Sequence, residues 1–149
     1  MANPSQKLDD LLNDVEINCD PTIGSRESIR FTLDCLYLIL GKLPRIAEQG
    51  ITVVSDYLER RTSLQSVEDT RARCWEYLGQ NYKNTSIEDP VVSAIRAVIF
   101  PLWAQQYPEQ RDIVDHLSVF LELVNYLEPH YEEEEALLRT HFAKCLKTV

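Results

Sequence analysis

The run DPVVSAIRAVIFPLW, residues 89–103, leaves this chain few ways to fold. An Asp followed by Pro suits a helix start. The carboxylate can accept from free first-turn amides, and proline needs no backbone hydrogen there. Beyond Pro90 the segment is apolar on nearly every side of a 3.6-residue turn, with Arg96 as its one charge. A helix apolar all round has to be wrapped by other elements. It is also too short, and too interrupted by Arg96 and Pro101, to span a bilayer. Residues 90–104 are therefore expected to form the central helix of a bundle, with Pro101 kinking or ending it.

The flanking sequence supplies the wrapping helices. Residues 5–17 place Leu8, Leu11, Leu12 and Val15 on one side. NCDPTIGS reads as a loop, with Ser25 capping a helix over 26–41 that Gly41 ends. Pro44 fits the first turn of a helix over 44–61, although Gly50 favours a break there. In SVED, Ser66 and Asp69 have the spacing of a capping box for a helix that runs to Tyr82. Its inward residues are expected to be Ala72, Trp75 and Leu78. Further helices are expected over 109–128 and 130–146. With only 4 glycines, and prolines placed mostly at helix starts, the 149 residues read as one all-α domain: a compact bundle of six to seven helices.

Charge narrows the function. The chain carries 24 acids against 15 bases, a net charge of −9, which argues against nucleic acid and against anionic membrane surfaces as partners. The excess is not spread evenly. Residues 1–20 hold five acids and one base, and residues 109–149 nine acids and four bases, while the middle of the chain balances. If the two ends pack together, they form one acidic pole. Glu128, Glu132, Glu133 and Glu135, with Asp112 and Asp115, are its expected partner-binding residues. A polar, acidic N-terminus without an apolar core does not read as a secretion signal, so a cytoplasmic chain is expected. Cys19, Cys35, Cys74 and Cys145 lack metal or redox spacing and read as free thiols.

The stretch EPHYEEEEALLRTHF, residues 128–142, is the strongest hint of chemistry. On a helix His130, Glu134 and His141 share a flank, like a row of ligands. Yet His130 and His141 are then roughly 16 Å apart along the axis, far beyond the reach of one metal ion. His130 and Glu134 alone would need ligands from elsewhere. The four consecutive glutamates also read as a first turn that favours the positive end of the helix dipole, with Glu135 able to pair with Arg139. Asp112 and His116 have the spacing of a surface ion pair. Arg96, within the apolar helix, must be compensated: a structural ion pair with Asp34, Glu76 or Glu122 is expected, the alternative being that it lines a cleft and binds an anionic ligand or partner carboxylate. Trp75, Tyr77 and Tyr82 beside Arg71 and Arg73 have the composition of an interface, although helical spacing assigns Trp75 to the core. No phosphate loop, nucleophile elbow or metalloprotease motif is present, so no cofactor, metal or catalytic activity is expected.

RARCWEYLG, DPVVSAIRAVIFPLW and EEEEALLRTHF, in that order, resemble the all-helical immunity proteins of bacterial polymorphic toxin systems, over residues 71–142. The resemblance implies a small cytoplasmic inhibitor that binds the toxic domain of a cognate effector. It assigns no residue a role by position. The alternative class is a helical scaffold or regulatory module without catalytic activity, for which a homodimer is one form.

Overall fold

A computed structural model describes residues 3–18, 21–81, 89–103, 110–144 and 146; the side chains of 21–26, 81, 103 and 110–113 lie outside what it describes. Among these residues every regular element is helical: α1 (Pro4–Asn18), α2 (Pro21–Leu38), a 3-10 turn (Leu40–Lys42), α3 (Arg45–Leu58), α4 (Leu64–Asn81), α5 (Pro90–Trp103), α6 (Gln110–Leu127) and α7 (Tyr131–His141). The all-α bundle expected from the sequence is what forms.

The central place of α5 follows from its composition. Val92, Ala94, Ile95, Ala97, Val98, Ile99 and Leu102 are all buried, and the helix packs on α2, α3, α4 and α6. Asp89 Oδ1 accepts from the amides of Val91 and Val92, at 2.9 and 3.4 Å, as the DP signal predicts. Pro101 is buried without ending the helix, which runs two residues further. Buried Ser93 donates to the Leu123 carbonyl of α6 at 3.1 Å, so its hydroxyl is satisfied across the interface and fixes the register of the two helices. Arg96 is partly buried on α5.

Several local expectations are corrected. Helix α2 begins at Pro21, so PTIGS is helix rather than loop and Ser25 lies past any capping position. Pro21 acts as Pro90 does, pre-set for a first helical turn. Gly41 does not terminate α2 with a left-handed residue; the helix ends at Leu38 and Gly41 sits in the 3-10 turn. Pro44 is the N-cap of α3, one position outside the helix. The cap of α4 is Ser63, whose Oγ accepts from the Ser66 amide at 3.2 Å; Ser66 is already within the helix.

Face assignment on α4 also changes. Val67, Thr70, Cys74 and Leu78 point inward, whereas Ala72 is exposed and Trp75 is 48% exposed. Both stripes include Leu78, and the real one uses the smaller Cys74 where the indole would have had to fit. The indole tolerates a half-wet position because its N–H keeps access to water. Arg71 donates to the Leu102 carbonyl at 3.1 Å, serving the last turn of α5, and Arg73 donates to Thr70 Oγ1 at 3.0 Å. Tyr77 is partly buried against the core; Tyr82 lies outside the described residues.

Helix α3 ends in a Schellman arrangement. The Arg60 amide donates to Tyr57 O at 3.1 Å and the Arg61 amide to Asp56 O at 2.8 Å. Arg60 therefore adopts φ 61°, in the left-handed region where a Cβ is disfavoured. Arg60→Gly is expected to raise stability by about 0.5–1 kcal/mol, the relief of strain exceeding the added chain entropy. Chemical denaturation of the two forms checks this, and a loss of stability on substitution would refute it.

Candidate functional site

Helices α1, α6 and α7 meet at one corner of the bundle, and α1 packs directly on both others. The physical reason lies in the matching stripes. Leu8, Leu11, Leu12 and Val15 of α1 are buried, as are Leu121 and Val124 of α6 and Leu138 of α7. The two acidic ends of the sequence are thereby brought side by side. Asp10 and Asp14 of α1 share a surface depression with Glu135 and Arg139 of α7, together with Lys7.

The expected pole residues occupy varied settings. Glu132 and Glu133 are exposed on the first turn of α7, and Asp115 is exposed on α6. Glu128, at the α6–α7 corner, lies 2.6 Å from His130 Nε2 and 3.8 Å from Lys42 Nζ. His130 Nδ1 faces Glu133 at 3.7 Å. Glu135 pairs with Arg139 at 3.2 Å, as its i, i+4 spacing predicts. The side chain of Asp112 lies outside the described residues, so its pairing with His116 does too; His116 meets the Phe100 ring edge-on at 5.9 Å.

Glu134 departs from the solvated-turn reading of the acidic run. It is 0% exposed, inside the bundle among apolar residues. Asn125 Nδ2 of α6 donates to its Oε1 at 2.8 Å, and its Oε2 has no hydrogen-bond partner. The other end of the same amide, Asn125 Oδ1, accepts from the backbone N–H of His130, the N-cap of α7, at 3.2 Å. One asparagine thus ties both the start of α7 and its buried carboxyl to α6. Burial pushes the Glu134 carboxyl up to about 7; the Asn125 hydrogen bond and then nearby His130 oppose the shift, while Glu133 adds to it. Part of the signal was in the sequence. Glu134 lies three residues after Tyr131 and four before Leu138, at one edge of the inward arc of α7; Glu135 borders the other edge and is partly buried, while Glu132 and Glu133 fall outside.

The row of three imagined ligands is dispersed. Glu134 turns to Asn125, His130 to Glu128, and His141 to α2. There His141 Nε2 lies 2.6 Å from Asp34 Oδ2 and its Nδ1 4.0 Å from Glu27, with Phe31 edge-on. Among the described residues no three His, Cys, Asp or Glu side chains gather as a metal site. Cys35 and Cys74 are buried free thiols; burial raises Cys35 well above the usual range and Cys74 to about 11, which leaves both as poor nucleophiles at neutral pH. Cys19 and Cys145 lie outside the described residues. No described helix is long and apolar enough to cross a membrane.

Sequence reasoning passed over a cleft of about 310 Å³ between α1, α6 and α7. Leu8, Asp9 and Leu12 line it from α1, Glu122 and Tyr126 from α6, and Tyr131 from α7; Asn125 also faces it. Comparison with protein-family models, curated proteins and solved structures finds no match to this chain.

Proposed function

We propose that this chain is a cytoplasmic inhibitor of the immunity type, which binds the toxic domain of a cognate effector and blocks it without catalysing a reaction. The observation that carries the reading is the packing of α1 on α7. It sets two net-acidic segments, separated by a charge-balanced stretch over residues 21–108, side by side. Such a juxtaposition accelerates capture of a basic protein and discriminates against acidic ones. It also imitates the charge of a nucleic-acid substrate, which suits a basic, nuclease-like toxic domain.

The test is affinity capture from the source cells at low and high salt, followed by binding kinetics with the recovered partner. One dominant basic partner with a toxin-like domain, released by salt, is the expected result. Recovery of this chain alone would sink the reading. Replacing Glu128, Glu132, Glu133, Glu135, Asp112 and Asp115 by lysine is expected to slow association at least tenfold and flatten its salt dependence. An unchanged association rate would remove these residues from the contact.

The scaffold reading, with a homodimer as its form, has one observation of its own. Trp75 is half-exposed on α4, where Leu64 is also exposed, and aromatic side chains of this kind anchor protein interfaces. Sedimentation of the purified chain decides: a dimer at micromolar concentration that Trp75→Ala disrupts would favour it.

A further inference from the structure

We infer that the cleft between α1, α6 and α7 receives an arginine or lysine side chain from a basic segment of a partner protein. The inference deepens the inhibitor reading and rests on it for the partner's identity. The cleft's own chemistry selects the cation. Asp9 and Glu122 are exposed carboxylates on two different helices, and both line the cavity. None of its described lining residues is basic, so no internal cation neutralises them from within the walls. Leu8, Leu12 and Leu121 are buried beneath and give the cavity an apolar floor.

A long cationic side chain matches this combination better than other classes do. Its alkyl stem covers the leucines while its charged head stays at the carboxylates. Tyr126, 49% exposed, and Tyr131 add aromatic faces against which a guanidinium is attracted. An anion would meet two negative charges. A purely apolar ligand would strip water from them without compensation. A protein segment is favoured over a free small molecule because the chain carries a net charge of −9, which adds long-range attraction for a basic chain.

The experiment is a titration of the isotope-labelled full chain with the capped tripeptide acetyl-Gly-Arg-Gly-amide, read by backbone amide shifts. Its citrulline counterpart, equal in shape but uncharged, serves as the control. Shifts concentrated at Asp9, Ser118, Glu122 and Tyr126 are expected. So is binding at least tenfold weaker for citrulline and for Asp9→Asn/Glu122→Gln. Both substituted positions are exposed, so that variant keeps its fold. Equal binding of arginine and citrulline, or shifts confined to Glu132 and Glu133, would overturn the inference. Free arginine binding as tightly as the tripeptide would overturn the choice of a protein segment. The captured effector separates this inference from the inhibitor reading. If it binds the double variant as tightly as the parent, the cleft is wrong and the inhibitor stands. If no effector is captured while the peptide fills the cleft, the inhibitor reading falls and the cation site stands.

Discussion

Urea unfolding of Glu134→Gln, compared with the parent chain from pH 4 to pH 9, is expected to show near-equal stabilities at pH 4 and a clear gain for the variant at pH 8. The sign follows from proton linkage. The folded-state carboxyl titrates at about 7 against an ordinary 4.5, so the folded state binds its proton more tightly than the unfolded chain. The stabilisation is fully present below about 4.5 and is lost as the pH rises through 7. A shift of this size corresponds to about 2–3 kcal/mol between pH 5 and pH 8. Glutamine has the shape of the neutral acid and keeps an oxygen for Asn125, but it cannot ionise, so the variant should lack this part of the pH profile. Parallel profiles for the two proteins would mean that Glu134 finds compensation when charged. The consequence reaches the proposed interface, since Glu134 and Asn125 fasten α7 to α6 and α7 carries much of the acidic face.

Gly50→Ala is the second large effect. On an exposed helix this change would stabilise by about 1 kcal/mol. At Gly50 it meets α5. A Cβ built there would lie 2.6 Å from Val98 Cγ1 and 3.6 Å from Leu102 Cδ1. Val98 is fully buried and β-branched, so its methyl cannot swing aside without leaving its rotamer. Overpacking of this kind costs about 1–3 kcal/mol and is expected to exceed the propensity gain. The double variant Gly50→Ala/Val98→Ala tests the cause, because removing the obstructing methyl should recover the loss in a coupling measurement. Additive effects of the two changes would locate the damage elsewhere. The same close approach explains why α3 runs unbroken through a residue that favours a break: the glycine is where α3 lies against the central helix.

These two positions mark where local reading stopped working. Periodicity located the seven α-helices of the described residues because each long one has an apolar stripe, and α5, without a polar side, declared its own central place. Ends were harder. PTIGS and Ser66 carry turn and cap chemistry that serves equally well outside a helix or inside its first turn, and only packing chose. Trp75 was misplaced because two adjacent stripes on α4 are nearly equally apolar, and the choice between them depends on how much volume α3 and α5 leave free. Glu132 and Glu133 lie on the surface side, but Glu134 and Glu135 border the apolar arc of α7 about equally, and only packing chose Glu134 for full burial.

The amino-acid sequence alone determined the helical class, the central helix with its Asp89 cap, and the concentration of charge at the two ends. These are local properties, set by side-chain periodicity, capping geometry and composition. Tertiary structure alone decided that the acidic ends adjoin, that Asn125 holds a carboxyl out of water, and that a cleft with two carboxylates and two tyrosines opens between three helices. Each of these depends on distances between residues far apart in the chain, and those distances exist only once the apolar stripes have chosen their partners.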